Sequence, residues 1–237
     1  MSSSPVISNN VLVAQVENDA DSFTTGINLN TGETIWKNIR PKGANWTSPV
    51  LLGKGNEQKV ALQSLKGISM INPSTGKESW NYQEGASTIP SSTPAGDILL
   101  VPSNGLTALK SLPDGHSHTQ VWQDNKLGPG TGSPVISGDR FLVINKANVL
   151  TCAKIKTGEI LWRMRVQGPA SGSPVATASH LYFFNEDGLG QIIKLGETEG
   201  KVVSTIDLGE TILCTPALAQ SALFLRSDKH LWKLSQD

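Results

Sequence analysis

An all-β fold of six repeated four-stranded units is what this 237-residue sequence predicts, and three observations carry the prediction. Ser/Thr-Pro recurs six times, with prolines at 5, 49, 94, 134, 174 and 216, so a unit of 40–45 residues runs along the whole chain. Within each unit, short apolar runs are bounded by Gly, Asn and Asp turn signals, and no stretch of helical period is long enough to compete. Finally, Thr31-Gly32, Thr75-Gly76 and Thr157-Gly158 are each followed four residues after the glycine by a tryptophan, at Trp36, Trp80 and Trp162.

The fourth repeat shows the four elements in order. Gly132-Ser133-Pro134-Val135-Ile136 opens it, and proline suits a strand start or edge because it cannot donate to a ladder. A Ser137-Gly138-Asp139 turn leads to the apolar run Phe141–Ile144. Val149–Lys154 follows, then the Thr157-Gly158-Glu159 turn and a last strand over Ile160–Met164. The second strands of the other repeats are Val11–Ala14, Val60–Leu62, Ile98–Val101, Leu181–Phe184 and Ala222–Leu225. They are continuously apolar, as strands covered on both faces are, and four-stranded sheets stacked face to face around an axis form a β-propeller.

The residues two before each proline (Ser3, Thr47, Ser92, Gly132, Gly172 and Cys214) are all small, as crowding near an axis requires. The glycine of each Thr-Gly pair supplies the positive φ of the turn before the outer strand, whose tryptophan is expected to cover the gap between diverging sheets. Repeat three stretches its turn to Pro113–His118 before Trp122, and repeat five has Ser204 where a tryptophan would stand. The repeats run over approximately 1–43, 44–88, 89–129, 130–169, 170–211 and 212–237, expected as one domain over 1–237.

This pattern resembles the PQQ-like, quinoprotein-type propeller repeat: a Ser-Pro inner strand, a short apolar strand, a third strand of Leu-x-Ala-Leu-Asp type, then Thr-Gly and tryptophan. The third strand here reads Ile68–Asn72, Leu106–Lys110 and Leu150–Lys154, with Asn28, Asn72, Lys110 or Lys154 in place of the usual acid. The resemblance implies one of two functions. One is a non-enzymatic, BamB-like scaffold in the periplasm or outside the cell, binding a protein or carbohydrate partner through loops and channel mouth. The other is an oxidoreductase holding PQQ and calcium. The dehydrogenase branch is associated with a vicinal cysteine pair, whereas Cys152 and Cys214 stand 62 residues apart and no Cys-x-x-Cys-His motif occurs. The scaffold reading is therefore the leading expectation, without cofactor or metal.

Lys+Arg and Asp+Glu both number 20, so the formal charge is zero, which argues against nucleic acid as partner. No apolar run approaches the length of a membrane span. An exported parent protein would carry its signal upstream, because Met1-Ser-Ser-Ser-Pro5 has neither a basic head nor an apolar core.

Cys152 and Cys214 occupy small slots of the repeat and are expected as buried hydrophobes. Asp114, His116 and His118 sit in an extended loop that could offer a carboxylate and two imidazoles to a metal but are expected solvated; His180 in a turn and His230 in the last strand have no partner visible in the sequence. Gly128–Gly132 lacks the ending of a phosphate loop and precedes a strand. Glu17-Asn-Asp-Ala-Asp21 reads as a solvated acidic turn, and Asn45-Trp46-Thr47 is a formal glycosylation sequon. Trp46 stands out: three before a repeat proline, where other repeats have Ser2, Ser91, Thr131, Ser171 and Leu213, it lies near a channel mouth as a binding platform or as a plug on the next sheet. The sixth repeat has three strands and no tryptophan-bearing outer strand. The chain is accordingly expected to be the C-terminal part of a longer propeller of seven or eight units, with a six-unit ring as the rival.

Overall fold

A computed structural model describes residues 3–235. The chain divides into two compact units, Met1–Gly128 and Pro129–Asp237, and the division falls beside the boundary between repeats three and four.

The first unit holds three four-stranded antiparallel sheets. They are β1 (Val6–Ser8), β2 (Val11–Val16), β3 (Phe23–Asn28) and β4 (Thr34–Ile39); β5 (Val50–Leu52), β6 (Lys59–Ser64), β7 (Gly67–Ile71) and β8 (Glu78–Tyr82); and β9 (Thr93–Ala95), β10 (Ile98–Val101), β11 (Leu106–Ser111) and β12 (His118–Asp124). The second unit holds β13 (Val135–Ser137), β14 (Arg140–Ile144), β15 (Val149–Lys154) and β16 (Ile160–Arg165); β17 (Val175–Ala176), β18 (His180–Phe184), β19 (Leu189–Leu195) and β20 (Gly200–Asp207); and the three-stranded β21 (Ala217–Ala219), β22 (Ala222–Arg226) and β23 (Leu231–Ser235). Each sheet is a meander in chain order. The entry to its first strand and the loop between its second and third strands therefore lie at one end, and the Thr-Gly turns lie at the other.

Burial explains the stacking. Met70, Trp80 and Tyr82 of the second sheet pack on Leu99, Val101 and Leu109 of the third. Leu142, Cys152 and Trp162 of the fourth pack on Leu181, Phe183 and Ile193 of the fifth. The tryptophans span these joints. Trp36 Nε1 donates to the Pro73 carbonyl at 2.8 Å, Trp80 Nε1 to Ser111 Oγ at 3.0 Å, and Trp162 Nε1 to the Gly196 carbonyl at 3.2 Å. Each indole thus docks at the far-end turn of the next sheet, and at two of the joints only glycine leaves room: a Cβ on Gly76 would stand 2.5 Å from the Trp36 ring, and one on Gly200 2.7 Å from Trp162. All five fourth strands share a β-bulge after the residue opposite this position: Gly26↔Trp36, Met70↔Trp80, Ala108↔Trp122, Cys152↔Trp162 and Ile192↔Ser204.

Asn28 and Asn72, two of the residues that replace the usual acid, close their turns. Asn28 Oδ1 accepts from the N–H groups of Asn30 and Thr31, and Asn72 Oδ1 does the same for Ser74 and Thr75. Gly32, Gly76 and Gly158 take φ of 74°, 68° and 70°, the left-handed region expected of them.

The recurrent hydroxyl also has a structural task. In four of the repeats a hydroxyl of the next repeat accepts from the N–H of the residue before the proline. Ser4 N donates to Ser48 Oγ at 2.9 Å, Ser133 N to Ser173 Oγ at 2.8 Å and Ser173 N to Thr215 Oγ1 at 3.0 Å. In the third repeat the acceptor slides to Ser91, reached by Ser48 N at 3.0 Å. Crowding between first strands holds the preceding residue small: a Cβ on Gly172 would stand 2.1 Å from the Cys214 carbonyl oxygen. Ser173→Ala orphans the Ser133 N–H and is expected to cost about 1–2 kcal/mol in urea unfolding, with Ser173→Thr close to wild type.

Where Ser204 replaces tryptophan, the joint between the fifth and sixth sheets opens into a groove of about 890 Å³, lined by Tyr182, Phe184, Ile206, Leu218 and Leu223 among others. Ser204→Trp is expected to stabilise the second unit by about 0.5–2 kcal/mol by filling it, read as a rise in unfolding midpoint.

Candidate functional site

The loop end of the first unit is built on a buried polar network. Gln15 is the penultimate residue of β2, and Glu17 follows the strand. Arg40 follows β4, and Gln63 lies on β6. Arg40 Nε donates to Glu17 Oε1 at 2.7 Å, with side-chain exposures of 6% and 2%. Asn45 Nδ2 donates to Glu17 Oε2 at 2.8 Å, and Gln15 Nε2 donates to Glu17 Oε1 at 3.1 Å. Thr47 Oγ1 donates to Asn45 Oδ1 at 2.9 Å, and Ser92 Oγ donates to Gln63 Oε1 at 2.6 Å. Glu17 therefore is not part of a solvated turn. Burial of both charges is possible because each is hydrogen-bonded as well as paired. The formal sequon is closed in the same way, since Asn45 is buried with its amide committed.

Trp46 stands between these two locked neighbours. Its backbone N–H donates to the Thr88 carbonyl at 2.9 Å, and Asn45 and Thr47 on either side are buried. Its side chain nevertheless projects, with the residue 47% exposed. Ile89, next to Thr88, is 49% exposed, and Leu65, in the loop between β6 and β7, is 61% exposed. Three large apolar side chains thus stand out from the same end of the first unit's sheets, on backbone fixed from beneath.

The histidines divide. Asp114 closes its turn by accepting from Ser117 Oγ and the N–H groups of His116 and Ser117; the Ser117 hydroxyl, foremost, holds its carboxyl below the usual carboxylate range. His118 stacks on Trp80 with ring centroids 4.6 Å apart, and partial burial lowers its pKa. His180 opens β18 rather than lying in the turn. His230 precedes β23 rather than lying in it, and its Nδ1 stands 2.8 Å from Glu210 Oε1. The Ser227 hydroxyl also donates to Glu210, and these two bonds, the hydroxyl first, depress the Glu210 pKa. The serine hydroxyl meets the carboxylate rather than the His230 ring, so the three groups are not in the nucleophile–base–acid order of a catalytic triad. Among the described residues, no group of three or more His, Cys, Asp and Glu is placed to hold a metal.

Cys152 is buried among Leu142, Leu150 and Trp162, and burial pushes its thiol up to about 11. Cys214 is half-buried at the entry to the sixth sheet, its Sγ 3.2 Å from the Arg226 nitrogen. With the two thiols on different sheets, the described residues hold no vicinal pair of the kind associated with a bound quinone.

Stacked antiparallel sheets with these joints place the chain in the β-propeller class. The repeats over residues 106–203 are of the PQQ-like kind: that stretch matches the family model described as outer membrane protein assembly factor BamB. Solved structures agree in fold. BamB from Moraxella catarrhalis superposes with TM-score 0.72 at 16% identity, covering 96% of this chain and 67% of that one. The computationally designed Ika8 protein gives 0.73 at 15%, covering 98% and 70%. A europium-containing methanol dehydrogenase gives 0.63 at 13%, covering 86% of this chain and 50% of that one. No curated protein matches the chain by sequence.

Proposed function

We propose that the chain is a non-enzymatic, protein-binding scaffold that works without a cofactor, and that Trp46 is the anchor of its binding surface. The observation that carries this reading is a half-exposed indole on backbone immobilised from both sides. A rigid aromatic presents large contact area at low entropic cost, which is why tryptophan is enriched at binding hot spots. Ile89 and Leu65 extend the apolar surface, and the BamB-like fold supports a protein rather than a carbohydrate as partner. A periplasmic or extracellular location is part of the proposal and rests on the same likeness; no helix among the described residues is long and apolar enough to cross a membrane.

The test is capture from an extract of the source cell with wild-type and Trp46→Ala bait. A protein held by wild type is expected to be lost from the variant, by about 30-fold or more in affinity for a hot-spot tryptophan worth about 2 kcal/mol or above. Equal capture by both rejects the assignment. The oxidoreductase reading makes the opposite forecast for a second measurement: PQQ with calcium would raise the melting temperature, and the scaffold reading expects no change.

A further inference from the structure

We infer that the groove between the first and second sheets is a binding site for an acidic peptide segment, a proposal that rests on the scaffold reading and names the chemistry of the partner. The groove holds about 510 Å³ and is lined by Arg40, Lys66, Lys77, Ser69, Asn38 and Asn81 among others.

Comparison between repeats singles out its floor. The residue after the fourth strand donates its N–H to the residue just before the third: Arg40 to Ser22, Val166 to Asn148 and Leu208 to Gly188. The fourth and fifth repeats fill this position with an aliphatic side chain packed in the core. The first repeat places a buried arginine there and needs Glu17, Gln15 and Asn45 to balance it. A buried ion pair is commonly no more stable than the apolar packing it replaces, so fold stability alone does not account for the exchange.

Arg40 is not used up by its partners. Its Nη1 donates to Ser69 Oγ at 3.0 Å and its Nη2 to the Leu62 carbonyl at 3.4 Å, besides the Nε bond to Glu17. A guanidinium has five N–H donors, so two are left after these three bonds, in a residue that lines the groove. Lys66 and Lys77 are exposed on the lining, with no salt bridge among the described residues. The acid on the lining is Glu78, whose Oε1 accepts from Asn81 at 2.7 Å. Asn38, Ser69 and Gln83 supply the amides and hydroxyl that pair with a peptide backbone.

The experiment titrates the isotope-labelled 237-residue chain with a capped tetraglutamate peptide, followed by amide NMR, with capped tetraglutamine and tetragalacturonate as further arms. The acidic peptide is expected to shift the amides of residues 66–69 and 75–78, with an affinity that falls several-fold between about 50 and about 500 mM salt. The Lys66→Gln, Lys77→Gln double variant, changed at exposed positions only, is expected to bind about 3–10-fold more weakly with its other amides unmoved. No shift, or an equal shift with tetraglutamine, overturns the site; tighter binding of tetragalacturonate overturns the peptide assignment. Because the probe needs no natural partner, a negative result here beside a positive Trp46 capture rejects the groove alone, and the reverse rejects the Trp46 anchor alone.

Discussion

Glu17→Ala is expected to destabilise the chain by about 3–5 kcal/mol, among the largest effects any single substitution here should produce. The substitution leaves the Arg40 guanidinium buried with its carboxylate gone, and it takes from Asn45 and Gln15 one of the two oxygens each bonds. Uncompensated buried charge is far more costly than a lost contact. The decisive comparison adds Arg40→Val, the aliphatic solution found at Val166. The double variant is expected to recover most of the loss in urea unfolding while losing the acidic-peptide response of the groove. If the double variant is as unstable as Glu17→Ala alone, the ion pair is not the cause.

Trp162→Ala is expected to cost about 3–5 kcal/mol. The indole is 6% exposed, packs with residues of both the fourth and fifth sheets, and is held by the Gly196 carbonyl at 3.2 Å. Its removal leaves a void bounded by Gly200, which has no side chain to collapse into it. The second unit reports the effect best, for its joint between the fifth and sixth sheets already lacks a tryptophan. Adding Ser204→Trp to Trp162→Ala should return part of the loss without contact between the two sites. A cost below about 1 kcal/mol for Trp162→Ala would mean that the tryptophans cover the joints without holding them.

The fold was legible because its signals repeat. Trp36, Trp80 and Trp162 each follow a Thr-Gly pair at one spacing, and each docks its indole at the far-end turn of the next sheet. Ser204 broke the pattern in the sequence, and the groove lies at that break. The small residues beside the prolines were equally legible, since crowding recurs at every first strand. The hydroxyls escaped a specific assignment because their partners lie one whole repeat away. The polar network was illegible for a different reason. Glu17 and Arg40 are 23 residues apart and occur once, so no periodicity marks them, and an acid beside Asn18 and Asp19 looks like part of a turn. One signal existed: Arg40 occupies a position that Val166 and Leu208 fill with apolar side chains. Glu210 and His230, 20 residues apart, were hidden in the same way.

The loop end of the first unit is proposed to bind a protein through Trp46. Photo-crosslinking from a benzophenone residue at Ile89, with Trp46 intact or changed to alanine, tests it most directly in the source cell. One protein adduct is expected, and it disappears with Trp46→Ala while the melting temperature stays within about 1 °C, since an exposed side chain contributes little to stability. An adduct unchanged by Trp46→Ala, or none with either form, would contradict it.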